Sequence, residues 1–150
     1  MDFRDYDTRL AAYALIFDER DRVLLALWNE AEQAQWTMPG GGVEFDENPA
    51  EGAVREVREE TGYDVELGPV LGVDIHVVPA EGRINPPGRP MKSVRVVYSA
   101  RIVGGSLRNE VDGTTDEARW IPLNEVEALD RVSLVDAALA MRPHRLGPVE

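Results

Sequence analysis

Gly41-Gly42-Val43-Glu44-Phe45-Asp46-Glu47-Asn48-Pro49-Ala50-Glu51-Gly52-Ala53-Val54-Arg55-Glu56-Val57-Arg58-Glu59-Glu60-Thr61-Gly62-Tyr63 divides into a glycine-led loop and a helix. Asn48 is a good N-cap, Pro49 suits the first helical position, and Glu51 sits three residues after the cap. Gly62 marks the end as a left-handed C-terminal residue. Ala50, Ala53, Val54 and Val57 supply an apolar inner face. The other side of the helix carries the chemistry. Glu56, Glu59 and Glu60 are spaced i, i+3, i+4, so their carboxylates point the same way. Like charges so placed repel, and the nearby helix C-terminus disfavours anions further. Folding does not ask for this arrangement. Bound cations would relieve it, and oxygen ligands of this kind suit Mg²⁺ or Mn²⁺ shared with substrate phosphates. Taken alone, three glutamates on a helix are more often solvated surface than site, with Arg55 and Glu59 as an ordinary i,i+4 pair.

Upstream, residues 9 to 17 read as a buried strand, Asp18 to Asp21 as a charged turn and Val23 to Trp28 as a second strand, which together predict a hairpin. A polar stretch, Asn29 to Gln35, leads to Trp36-Thr37-Met38-Pro39-Gly40-Gly41-Gly42, whose glycines let backbone approach a ligand closely. Downstream, residues 64 to 78 alternate like a strand interrupted at Gly68-Pro69, and the proline-rich residues 79 to 90 predict a loop. Ser93 to Val103 and Ala118 to Leu123 read as strands, Gly104-Gly105 as a turn and Ser133 to Met141 as a helix. The last residues, PHRLGPVE, read as a loose tail. No repeat or linker interrupts the chain, so the expectation is one domain over residues 1–150, of α/β (α+β) class, with helices packed on a mixed sheet.

Composition narrows the functions. The chain has 28 acidic and 16 basic residues, a formal net charge of −12 and a pI of about 4.6. That balance argues against a nucleic acid polymer as partner, which wants clustered Lys and Arg, while leaving small phosphorylated substrates open where cations invert the local field. With no cysteine and two histidines, thiolate chemistry is excluded and a multi-histidine zinc site is not expected. No apolar run suits a membrane span, and the polar N-terminus lacks the blocks of a signal peptide, so the expected compartment is cytoplasmic.

Gly41, Glu47, Arg55, Glu56, Glu59, Glu60 and Gly62, at these separations, resemble the signature box of the Nudix (MutT-like) hydrolases, enzymes of nucleoside diphosphates linked to another moiety. At about one in fifteen per position, chance gives roughly one such match in 10⁸ start sites. The two positions that take a bulky aliphatic hold Val57 and Tyr63, the latter with an extra hydroxyl, and Asp46 stands where many members carry glycine. Trp36 to Gly40 is similar to the family's lead-in and Trp120-Ile121-Pro122-Leu123 to its closing strand.

The resemblance implies a Nudix-type α/β/α sandwich with a mixed sheet and a loop–helix–loop metal site. It implies a Mg²⁺-dependent hydrolase, with Mn²⁺ as substitute, that cleaves a diphosphate bond in a nucleotide: a nucleoside triphosphate (oxidised ones included), ADP-ribose or a nucleotide sugar. The competing reading is a catalytically weak domain that senses nucleotides, and the complete glutamate set counts against it. Carried over by position, Glu56, Glu59 and Glu60 are the metal ligands, with the Gly40 carbonyl as a further candidate and Glu44 acting through water. Arg55 orients a ligand glutamate, and Glu47 anchors the loop and steadies Arg55. The base is Glu56 or Glu59, or a carboxylate from the later loop Asn109 to Arg119, where Asp112, Asp116 and Glu117 are candidates and Glu117 is favoured. Family members are often dimers, so a homodimer is allowed for.

Outside the box, Arg83, Arg89, Lys92 and Arg95 cluster around the proline-rich loop, and Arg83 and Arg95 are candidates to receive terminal phosphates. Phe45 is the aromatic most open to stack on a base, whereas Trp28 and Trp36 are expected in the core and His76 is expected to be structural. Pro79 falls 16 residues after Tyr63, near where family members acting on ADP-ribose carry a proline.

Overall fold

Leu10 to Phe17 contains no charged residue and no alternation. Such a run suits a strand covered on both faces. The computed structural model, which describes residues 1–83 and 88–143, buries residues 11–16 of this run, while Leu10 is exposed and Phe17 partly buried. Strand β1 (Asp7–Leu15) lies inside a four-stranded sheet, between β4 (Gly40–Gly42) and β6 (Met91–Gly105), with β5 (Tyr63–Val78) at the far edge. The β1–β6 pair is parallel and the others are antiparallel, so the sheet is mixed as expected. A second, three-stranded sheet has β2 (Arg22–Trp28) between β3 (Gln35–Thr37) and β7 (Thr115–Pro122). Helix α1 (Pro49–Thr61) follows β4, and helix α2 (Ser133–Ala140) closes the described chain.

Two cores result. Ala11, Tyr13 and Leu15 of β1 join Val23 and Leu25 of β2 and Leu134, Val135 and Ala138 of α2. The residues between them, Ala14 and Ile16, turn the other way and meet Leu24, Val65 and Val57 of α1. Each fully buried aliphatic of this size contributes roughly 1.5–3 kcal/mol. The inner face of α1 is therefore pinned, and so the opposite face is pinned too.

The expected hairpin is not a hairpin. β1 and β2 enter different sheets and touch through the Phe17–Val23 bridge and one bond from the Leu24 N–H to the Ile16 carbonyl at 3.0 Å. Asp18 accepts bonds from the Arg20 and Arg22 amides at 3.0 and 2.9 Å, and Asp21 sits at φ +60°, so the turn is tight. Both strands carry apolar residues on both faces, and each is satisfied only by packing on two sides. Gly68-Pro69 also does not end its strand. β5 runs through it with register shifts on either side of Val70, and an edge strand tolerates proline in such a bulge. Residues 84–87 of the proline-rich loop, and residues 144–150 of the tail with His144, lie outside the described residues. No helix among the described residues is long and apolar enough to cross a membrane.

Candidate active site

Helix α1 begins and ends where its caps predict, with extended backbone at Asn48 and Gly62 at φ +83°, its N–H returning to the Arg58 carbonyl. The Asn48 side chain does not cap; it donates to the Glu51 carboxylate at 2.9 Å. The glycine strand β4 lies beside the helix, paired with β1 through Ala11–Gly42, Ala12–Gly41 and Tyr13–Gly40. Gly40 sits at φ +143°, and a Cβ there would come within 2.6 Å of the Tyr13 Cα, so this position requires glycine. At Gly41 a Cβ would stand 3.1 Å from the Glu56 carboxylate. The strand is thus bare because the helix carboxylates lie directly on it.

Glu60 is 3% exposed and accepts the Gly40 N–H at 3.1 Å. Burial pushes its carboxyl well above the usual range, that N–H opposes the shift, and the charges of Glu56 and Glu110 add to it. Burial, more than the neighbouring Glu59 charge, also raises Glu56, against the pull of Arg55. Arg55 holds the cluster together. Its Nε and Nη2 donate to the two Glu47 oxygens at 2.8 and 2.9 Å, Nη2 also reaches the Gly42 carbonyl at 3.2 Å, and Nη1 reaches Glu56 and Glu59 at 3.2 and 3.4 Å. The Arg55 bonds, aided by the Glu44 N–H, hold the Glu47 carboxyl down at about 2. Glu47 is therefore a permanent anion that fixes Arg55, and Arg55 in turn fixes Glu56.

The donor set fits a hard dication. It offers oxygen ligands only, among them the carboxylates of two glutamates crowded by burial and by each other's charge, which a cation would relieve. Among the described residues no three carboxylates yet converge at ligand distance. Arg55 Nη1 bonds both Glu56 and Glu59, and the Glu59 side chain is half-exposed and able to turn inward. Gly40 lines the cleft beside Glu56 and Glu60.

The later loop supplies a carboxylate that the sequence reading passed over. Glu110, with Gly113 and Thr114, faces Glu56 and Glu59 across a cleft of about 600 Å³, and its charge reaches Glu60. The loop is tied to the helix end by the Arg108 N–H on the Thr61 carbonyl at 2.8 Å and the Ser106 N–H on Gly62 at 3.3 Å. A side chain at Gly113 would overlap the Glu110 carboxylate. The structure does not bring the three named loop candidates to the helix glutamates. Asp116 accepts from Asn29 at 2.7 Å, Glu117 pairs with Arg119 on β7 at 2.8 Å, and Asp112 is exposed at φ +57°.

A larger cleft of about 660 Å³ opens between the sheets, with Gly40 to Gly42, Glu56 and Glu60 at one end and α2 at the other. Arg95 lines it, 8% exposed and paired with Asp74. Arg83 does not; it is tied, with Arg89, to Asp7 on β1. Phe45 stands fully exposed in the β4–α1 loop. Trp36 is in the core as expected, but Trp28 is half-buried and lines the cleft, and His76 lines it as well. The Thr115 hydroxyl, in the same wall, is buried and has no partner among the described residues. Tyr63 explains its own departure from the box: its hydroxyl accepts the Trp120 Nε1–H at 3.2 Å, and the rings pack at 5.9 Å.

Comparison with known proteins agrees with this geometry. The NUDIX domain family matches residues 7–141. The putative nudix hydrolase 1 of Caenorhabditis elegans is 29% identical over 94% of this chain and 37% of its own length. The 8-oxo-dGDP phosphatase NUDT18 of Danio rerio is 31% identical over 91% of this chain and 40% of its own. The chain thus spans about two fifths of these two relatives. A NUDIX hydrolase structure from Nitrosomonas europaea superposes with a TM-score of 0.75 at 21% identity, covering 90% of this chain and 88% of that one.

Proposed function

The chain belongs to the NUDIX family, and from that premise we propose that it is a divalent-cation-dependent hydrolase of the diphosphate bond in a nucleoside diphosphate derivative. The observation that carries this is the buried Glu60 carboxylate, crowded against Glu56 beneath a bare glycine strand. Glu56, Glu59 and Glu60 would hold Mg²⁺ or Mn²⁺, with the Gly40 carbonyl in reserve. When bound, the cation supplies charge neutralisation on the diphosphate oxygens.

The protein's own groups do the rest. Arg55, locked by Glu47, keeps Glu56 oriented and is a positioning residue. Water attacks a diphosphate phosphorus, the bond from that phosphorus to the leaving oxygen breaks, and a carboxylate takes the water's proton. Glu110 is the loop residue best placed for that proton, since it faces Glu56 and Glu59 from across the cleft. It replaces Glu117, which Arg119 engages. The zebrafish relative's name supports an oxidised nucleoside diphosphate as one substrate; ADP-ribose, nucleotide sugars and nucleoside triphosphates share the scissile diphosphate.

The test is product release with Mg²⁺ or Mn²⁺ over a panel of these compounds. Glu59→Gln and Glu60→Gln are expected to abolish turnover with the fold intact by circular dichroism. Full activity in both variants would overturn the assignment.

A further inference from the structure

The floor of the larger cleft is built from three adjacent strands, and its side chains are charged. Arg9 of β1 stands opposite Ser93 of β6, which stands opposite His76 of β5. One step along, Ala11, Arg95 and Asp74 form the next row. Residues opposite one another, or two apart on one strand, share a sheet face. Arg9, His76 and Arg95 accordingly line one cleft together.

The three arginines in that cleft are not equivalent. Arg95 is matched by Asp74, and Arg131 by Asp136 at 2.9 Å. The Arg9 side chain makes no hydrogen bond or ion pair among the described residues. Its guanidinium lies near Gly42, where a Cβ would stand 3.2 Å from Nη2, and the residue is exposed. In a chain of net charge −12, an exposed arginine that lines a cleft and has no carboxylate within ion-pair distance among the described residues can receive an anion from outside. On the hydrolase reading the scissile diphosphate belongs with the helix carboxylates at one end of this cleft. Gly41 faces Glu56 and Gly42 faces Arg9, and successive residues of a strand point to opposite sides. The carboxylate helix and the Arg9 guanidinium therefore flank the glycine strand from its two faces.

We propose that Arg9, in the cleft it shares with Arg95 and His76, receives a second anionic group of the substrate, a phosphate monoester on the part of the molecule beyond the diphosphate. This rests on the hydrolase reading above and adds a substrate class to it: diphosphates whose linked group is itself phosphorylated. A neutral sugar or base leaves the Arg9 charge unanswered; a phosphate accepts two of its N–H groups at once.

Matched pairs test this: NADP⁺ against NAD⁺, and coenzyme A against 3′-dephospho-coenzyme A, each pair differing by one phosphate monoester. The wild-type chain should favour the phosphorylated member of at least one pair in kcat/KM by about tenfold to a hundredfold, the range of a charge-assisted contact. Arg9→Gln should collapse that ratio to within about threefold, mainly through KM, while Arg9→Lys keeps part of it and neither variant lowers Tm. An equal rate on both members in the wild type, or a ratio untouched by Arg9→Gln, overturns the proposal. If no member of either pair is hydrolysed, equilibrium binding of adenosine 3′,5′-bisphosphate and AMP to the metal-free proteins decides it alone. A preference for the bisphosphate that Arg9→Gln abolishes supports the anion subsite even where the hydrolase reading has failed; no preference overturns it.

Discussion

Gly40 and Gly41 are neighbours in one short strand, and the structure gives them different jobs that substitution separates. Alanine at 40 must keep φ near +143°, with its Cβ 2.6 Å from the Tyr13 Cα. Holding an L-residue in so sparse a region costs roughly 1–3 kcal/mol. Any relief by moving β4 away from β1 breaks the Gly40 N–H bond to buried Glu60, now 3.1 Å, and leaving a buried polar group unsatisfied costs roughly 1–3 kcal/mol. By either route the cost is about 1–3 kcal/mol, against a stability of about 5–15 kcal/mol for a typical domain. For a chain of this size that lowers Tm by roughly 2–12 °C. Alanine at 41 keeps an ordinary backbone and meets only the far end of Glu56 at 3.1 Å. Its expected cost is below about 1 kcal/mol, but it displaces the carboxylate by a few tenths of an ångström, which geometry-sensitive chemistry registers as a large loss of kcat. Urea unfolding and steady-state kinetics on both variants give the comparison. If Gly40→Ala unfolds at the wild-type midpoint, or if Gly41→Ala is destabilised as much as Gly40→Ala, the account of the glycine strand is wrong.

Other expectations follow from the same geometry. Glu110→Gln should lower kcat at least a hundredfold with little change in KM, whereas Glu117→Gln should retain most activity; the reverse ranking in steady-state rates would return the base to β7. Val57→Ala removes two buried carbons from the α1 core and should cost roughly 2–3 kcal/mol, a fall of about 5–10 °C in Tm by calorimetry. Glu56 and Glu60 are raised in the fold above the ordinary 4.5, so the folded chain holds their protons more tightly than the unfolded one. Their contribution is whole below pH 4.5 and is lost as pH climbs through the folded values. Metal-free Tm should therefore drop as pH climbs above about 4.5, and saturating Mg²⁺, which binds the ionised form, should flatten or invert that slope in a melting series.

The parts of this fold that were legible in the sequence are those where one residue type is almost the only local solution. Pro49 and Gly62 bound α1 because a missing N–H and a left-handed backbone suit those two places and few others. Ala11 to Ile16 announced burial on both faces through its lack of alternation. Strand partnership was not legible. Asp18 to Asp21 makes the same tight turn whether the flanking strands pair or part, and only the packing of α1 and α2 on opposite sides of β1 decides that they part.

The site divides along the same line. Glu56, Glu59 and Glu60 could be read together because a helix fixes their separations, and Arg55 and Glu47 because the box spacing returns the loop onto the helix. Glu110 could not. Its approach to Glu60 is set by two backbone bonds from residues 106 and 108 to the helix end and by the bare Cα of Gly113, none of which has a fixed offset in sequence. Arg9 was passed over for a related reason. Its neighbours Ser93 and His76 are remote in the chain, and their row exists only once β1 runs parallel to β6 and β6 antiparallel to β5. Chemistry that depends on register between distant strands leaves no periodic trace in the chain. Substrate recognition in this cleft is of that kind, while the cation-binding face is local, so two chains with the same box can differ freely in what they bind.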